Sequence, residues 1–174
     1  MRGAAARDAE FADFFAGRFD STRRVAHAMC GDWSEAEELT QNAFVRLYAK
    51  WSSIRMETVD AYLRTVLTRV FLDTRRRGRA REHPVAEPPD RPTAHEFGTE
   101  ERQALHTALL AVPPRQRAVL VLRFVADLSI EETAQTLKCS TGTVKSQTAR
   151  GLATLRAAYT EPPCSDRVTA TGRT

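Results

Sequence analysis

The sequence predicts an all-α protein: two small helical domains joined by a flexible linker, the C-terminal one a helix-turn-helix. Three observations carry that expectation. No run alternates apolar and polar side chains, and no Asn-Gly or Asp-Gly pair sits between β-branched stretches, so strand signals are missing. Apolar residues recur instead at helical spacing through two long stretches. Between them, residues 79–98 lose all periodicity and carry Pro84, Pro88, Pro89 and Pro92 among polar neighbours. With 174 residues, 42% of them hydrophobic, the chain can bury one moderate core or two small ones.

Each element has a local reason. Phe11, Phe14, Phe15 and Phe19 mark the apolar face of a first helix, and a second short helix fits Ser21–Cys30 with Val25, Ala28 and Met29 inward, ended by Gly31. Ser34 followed by Glu37 reads as a capping box for a long helix from Glu35 to about Trp51, with Ala36, Leu39, Ala43, Leu47 and Trp51 in one stripe. A further helix is expected from about Asp60 to Arg77, with Leu63, Val66, Leu67, Val70 and Phe71 inward and Gly78 closing it. After the linker, Ala104, Leu105, Ala108 and Leu109 restore helical spacing up to Pro113-Pro114, whose second proline suits the first turn of the next helix. Arg115–Val125 is strongly apolar and hence buried. Ser129 and Glu132 form another capping box, with Ile130, Ala134 and Leu137 on one face. A short turn at Lys138–Ser140 leads into a last helix running to about Ala157, with Val144, Thr148, Leu152 and Leu155 inward. The expected domains are therefore 1–78 and 99–160, with 79–98 as linker and 161–174, which carries Pro162-Pro163 and small polar residues, as a disordered tail.

Charge is distributed unevenly. The formal net charge is +4, yet residues 62–81 hold seven arginines against Asp73 alone, whereas residues 82–101 hold Arg91 against six acids. Two basic patches, one in the arginine-rich helix and one at the C-terminal end, thus flank an acidic stretch. The longest apolar runs, Ala108–Val112 and Ala118–Leu122, have five residues each, far below the ~20 that cross a bilayer. The first ten residues include Arg2, Arg7, Asp8 and Glu10 and open no apolar stretch, so neither a secretory leader nor membrane insertion is expected, and the expected compartment is the cytoplasm. Cys30, Cys139 and Cys164 fit neither a disulfide framework nor a four-ligand zinc site. No P-loop, glycine-rich nucleotide loop, paired histidine ligands or nucleophile beside a base is present, so an enzyme is not expected, nor a cofactor or metal.

The constellations that remain suit nucleic acid and a protein partner. Placing residues at ~100° per position sets Thr143, Ser146, Arg150 and Thr154 opposite Val144, Leu152 and Leu155, with Lys145 and Gln147 at the flanks. That outward face carries only donors and acceptors, and no acid lies between Cys139 and Thr160, as a recognition helix in a major groove requires. Arg64, Arg69, Arg75, Arg76, Arg77, Arg79 and Arg81 make an electrostatic footprint for a phosphate backbone, with a solvated face as the plainer alternative. Trp51, Tyr62 and Phe71 could stack on unpaired bases or belong to the core. On the long helix, Glu38, Asn42, Val45 and Ala49 point outward with Gln41 beside them, a small apolar residue among an acid and two amides, which looks like a partner surface.

The segments GDWSEAEELTQNAFVRLYAKW (31–51), AYLRTVLTRVFLDTRRR (61–77), VPPRQRAVLVLRF (112–124) and LSIEETAQTLKCSTGTVKSQTARGLATLR (128–156), in that order, closely resemble bacterial RNA polymerase sigma factors of the extracytoplasmic-function type. The resemblance implies that the N-terminal domain binds the clamp helices of the largest polymerase subunit and opens the −10 promoter element. It implies that the C-terminal domain meets the flap of the second subunit and reads the −35 element. Glu38, Gln41 and Asn42, with Val45 on the same face, match the clamp-binding positions, although relatives often carry Asp and Glu at the first and third of these. Arg64, Arg69, Arg75, Arg76 and Arg77 would contact −10 DNA, Arg69 standing where relatives commonly have Asn, and Ser52–Glu57 resembles the loop that captures a flipped base. Thr143, Lys145, Ser146, Gln147 and Arg150 fall in the recognition helix, with Gln147 where many members have Arg. Core RNA polymerase, promoter DNA and an anti-sigma factor are the implied partners. A linker of this length spans at most ~65 to 70 Å, about two duplex turns, so the modules can sit on separate promoter elements. The competing class is a polymerase-independent helix-turn-helix regulator, which co-purification with core polymerase separates from a sigma factor.

Overall fold

The computed structural model describes residues 3–81 and 100–160. Seven α-helices and no strand occur among the described residues: α1 (Ala4–Cys30), α2 (Trp33–Tyr48), α3 (Val59–Arg81), α4 (Glu100–Ala111), α5 (Pro114–Phe124), α6 (Ile130–Leu137) and α7 (Thr141–Thr160). Two 3-10 turns, Trp51–Ser53 and Met56–Thr58, join α2 to α3. The expected tail lies outside the described residues, as does the linker between residues 82 and 99.

Several boundaries move for identifiable reasons. The two helices expected before Gly31 are one, because nothing between Phe19 and Ser21 breaks the ladder: Ser21 and Thr22 turn their hydroxyls back onto the Arg18 carbonyl. The cap of α2 is not Ser34 with Glu37. Asp32 is extended and its carboxylate accepts the Glu35 N–H at 2.7 Å, so the helix starts two residues earlier. Gly78 does not end α3, which continues to Arg81, a glycine inside a helix costing only about 1 kcal/mol. The Ser129–Glu132 capping box forms as expected, each side chain meeting the other's backbone N–H, and these bonds hold the Glu132 carboxyl below its usual range.

The N-terminal half is built on aromatic packing. Phe11, Phe14, Phe15 and Phe19 pack from α1 onto Phe44 and Trp51, with Leu47, Leu67 and Phe71 fully buried beneath them. Arg18 donates two bonds to the Asp60 carboxylate, tying α1 to the start of α3. Trp51 and Phe71 are thereby core residues and not stacking platforms, and Tyr62 is half-buried.

The second half packs directly on the first. Ala118, Val121 and Leu122 of α5, with Leu128 beyond it, belong to the same apolar cluster as α1 to α3. Val119 faces the other way, into a smaller cluster with Ala134 and Val144. Helix α5 is therefore buried on two sides, which is why its sequence reads as an unbroken apolar run. Where α1 ends, Gly31 takes a left-handed φ of 90°, which favours glycine, and a Cβ there would lie 2.6 Å from the tip of the Leu110 side chain, which would have to shift. Arg117 closes the joint: 7% exposed, it donates to the carbonyls of Met29 (2.8 Å), Leu110 (2.8 Å) and Val112 (3.1 and 3.2 Å). Burial pushes its pKa down to about 10, so it stays cationic at neutral pH. Beside it, His27 stacks between Trp33 (centroids 3.9 Å apart) and His106 of α4 (4.8 Å).

Candidate nucleic-acid interface

Helix α7 is presented by a tight corner. Lys138 adopts a left-handed φ of 51° after α6, and Ser140 caps α7, its hydroxyl accepting the Thr143 N–H at 3.1 Å. Val144 is fully buried, and Gly151 lies against Leu120, so α7 packs through one face on α5. That leaves Lys145, Ser146 and Arg150 exposed and Gln147 half-buried beside them. Thr143 is half-buried and its hydroxyl pairs with that of Ser140 at 2.9 Å. Ser146 donates to the Thr143 carbonyl, so its hydroxyl oxygen still has lone pairs facing solvent. The first turn of α7 holds no acid. A helix with free long cations, amide and hydroxyl groups on one face can read base edges and hold phosphates.

The arginines of α3 divide into two kinds. Arg69 and Arg77 are exposed and, among the described residues, paired with no acid. Arg76 meets Asp73 at 3.4 Å. Arg75 turns inward: it pairs with Glu35 at 2.7 Å, reaches the Cys30 carbonyl and lies over the Phe71 ring. Arg64 is half-buried, and its Nε is buried without a partner. The arginine row is therefore part fold and part available charge, a split that residue type alone does not reveal. Arg79 and Arg81 lie outside the described side chains. The segment 52–57, which runs through both 3-10 turns, is mostly exposed, including Met56 at 46%.

On α2, Glu38, Gln41, Asn42 and Val45 all face solvent, as their spacing predicts. Gln41 donates to Glu37, and Asn42 donates to the Glu38 carbonyl, which fixes both amides along the helix. Val45 is 68% exposed. One turn on, Tyr48 extends this row; it is 43% exposed and donates to Asp8. Tyr48 is not among the outward residues named from the sequence, although its position three residues beyond Val45 was the available signal.

Among the described residues no three metal-ligating side chains converge, and no helix is long and apolar enough to cross a membrane. Cys30 is buried with its thiol pushed up to about 11, the state of an unreactive packing residue.

Comparison with known proteins matches both halves. Residues 20–81 match the family described as Sigma-70 region 2, and residues 102–155 that described as Sigma-70, region 4. The chain is 36% identical over 151 residues to an RNA polymerase sigma-E factor of Streptomyces coelicolor, covering 84% of each, and 37% identical to that of Streptomyces avermitilis, covering 84% of this chain and 83% of the relative. Among solved structures, the sigma factor RpoE of Bartonella quintana, in complex with the anti-sigma factor NepR, superposes with a TM-score of 0.72 at 24% identity over 87% of this chain and 97% of that one. CnrH, in complex with the cytosolic domain of CnrY, gives 0.59 at 20% identity over 84% and 85%. These last two likenesses are of fold.

Proposed function

Because the chain belongs to the RNA polymerase sigma factors of the extracytoplasmic-function type, we propose a division of that family's work between its surfaces. The chain is an alternative sigma factor that binds core RNA polymerase and directs promoter recognition and transcription initiation. The observation that carries this is the succession of region 2 and region 4 in one chain, at 36% identity across most of a named sigma factor. In our reading, residues 1–78 engage polymerase and the −10 element, 79–98 form an acidic linker, and 99–160 engage the −35 element. It acts in the cytoplasm and is not itself an enzyme.

Glu38, Gln41, Asn42 and Val45, extended by Tyr48, would meet the clamp helices. Their exposure and the rigid helix beneath them support that assignment. Arg69 and Arg77 would carry most of the −10 phosphate contacts, Arg76 fewer, while Arg64 and Arg75 would act mainly by holding α3 in place. On α7, Arg150 and Gln147 would read bases, Ser146 and Thr143 would support them, and Lys145 would hold backbone. An anti-sigma factor is a further expected partner, since the structurally similar RpoE is in complex with the anti-sigma factor NepR.

Run-off transcription with core polymerase and a promoter library tests the whole reading: specific initiation is expected, and none would leave a polymerase-independent regulator. Within it, Glu38→Lys with Gln41→Ala should abolish core binding without loss of helical content. Arg150→Ala should cost ~1 to 3 kcal/mol at one −35 base position and relax preference there, whereas Lys145→Ala should lower affinity evenly across −35 variants.

A further inference from the structure

A cleft of about 500 Å³ opens where the halves meet, between α3 on one side and the start of α5 and end of α6 on the other. Arg69, Arg75 and Arg76 line one wall, Arg115 and Lys138 the other. Glu35 already neutralises Arg75, and Asp73 neutralises Arg76. Arg69, Arg115 and Lys138 are exposed and meet no acid among the described residues, so positive charge from both halves converges on the cleft. Leu72, Pro113 and Leu137 give it an apolar floor. Because Pro113 and Pro114 lack an N–H, the first free donors of α5 are those of Arg115 and Gln116, at the positive end of the helix.

We propose that this cleft binds a nucleoside polyphosphate. Two demands are met by one class of molecule: a flat ring system suits the apolar floor, and a short chain of phosphates suits three unpaired cations beside a helix N-terminus. The volume lies within the range of small-molecule sites. Such a ligand touches both halves, so it holds them in the packed arrangement. It also occupies Arg69, so on our reading of α3 it competes with −10 DNA.

The experiment is calorimetric titration of the full chain with ATP, inorganic triphosphate and adenosine as probes, without polymerase or DNA. Saturable one-to-one binding of ATP is expected, with each of the other two probes about tenfold weaker or more, since each lacks one of the two recognised parts. Arg115→Glu combined with Lys138→Asn should weaken ATP about tenfold or more, asparagine being chosen because it tolerates the left-handed backbone at that position. Arg115→Ala alone, at an exposed site, should weaken it severalfold should the double variant lose its helical signal. Absence of saturable ATP binding at millimolar concentration, triphosphate binding as tight as ATP, or variants that bind like the parent would each overturn the proposal. Promoter binding with core polymerase by Arg115→Ala, measured without nucleotides, should match the parent, because Arg115 belongs to no surface assigned to polymerase or promoter. Failure of the parent to bind promoter DNA with core polymerase in the absence of nucleotides, with ATP binding intact, would count against the sigma-factor reading and leave this site standing.

Discussion

The two halves of the molecule solve the same problem with different means. The N-terminal half fills its centre with rings, Phe11, Phe14, Phe15, Phe44, Trp51 and Phe71, and closes on itself through α1, α2 and α3. The C-terminal half has no ring in its own cluster, only Val119, Ala134 and Val144 with half-buried Ile130, Leu137 and Cys139 around them. It gains the rest of its burial from its neighbour, through Ala118, Val121, Leu122 and Leu128. A small domain with a thin core is marginal alone, and docking on a larger one supplies apolar burial that its own few residues lack. The difference teaches that the joint between the halves is part of the stability of the second half.

Phe71→Ala should cost most, about 3 to 5 kcal/mol, because a fully buried ring is removed from the centre of the self-contained half. Thermal unfolding followed by circular dichroism measures it; a loss below about 1 kcal/mol would mean that the ring core is not what holds this half. Leu122→Ala should cost about 2 to 5 kcal/mol and tests the borrowing directly. Hydrogen exchange should speed up in α4 to α7 far more than in α1 to α3, and an even increase would show that the halves stand or fall together. Arg117→Met leaves the Met29, Leu110 and Val112 carbonyls short of donors and should cost roughly 1 to 3 kcal/mol, with the same regional pattern of exchange.

Ser129→Ala should cost about 1 kcal/mol, confined to the second half, since it removes only the cap of α6. The smallest effect concerns pH. Burial lowers the pKa of His106, so the folded chain resists a proton that the unfolded chain takes up at about 6.5. Stability should therefore fall as pH drops below the ordinary histidine value, and it should stop falling below the depressed one. Replacing His106 with Gln should flatten the dependence of melting temperature on pH between 7 and 5; an unaltered slope would assign the titration to other groups.

Helix α7, proposed to read the promoter, was the most legible part of the candidate site. Its acid-free length, the Lys138–Ser140 corner and the Val144 and Leu152 stripe all appear in sequence and recur in three dimensions. The outward row of α2 was equally plain, apart from Tyr48. The arginine helix was not, because seven arginines in a row of text look alike until one knows that Glu35, forty residues earlier, claims Arg75.

Sequence alone thus determined the helices, their inward stripes and the family, because each depends on neighbours within a few turns: a 3.6-residue period, a capping box, a proline at the first turn, a glycine at the end of α1. Asp32 displacing Ser34 as a cap and the single long α1 show the limit even there, since two locally adequate solutions compete and packing selects one. Only the tertiary structure decided that the halves dock, that Arg117 lies inside the joint and that Trp51 and Phe71 belong to the core. Those outcomes rest on contacts between residues far apart in the chain, such as Arg117 and Met29, and no local pattern encodes which distant carbonyl a buried guanidinium will find.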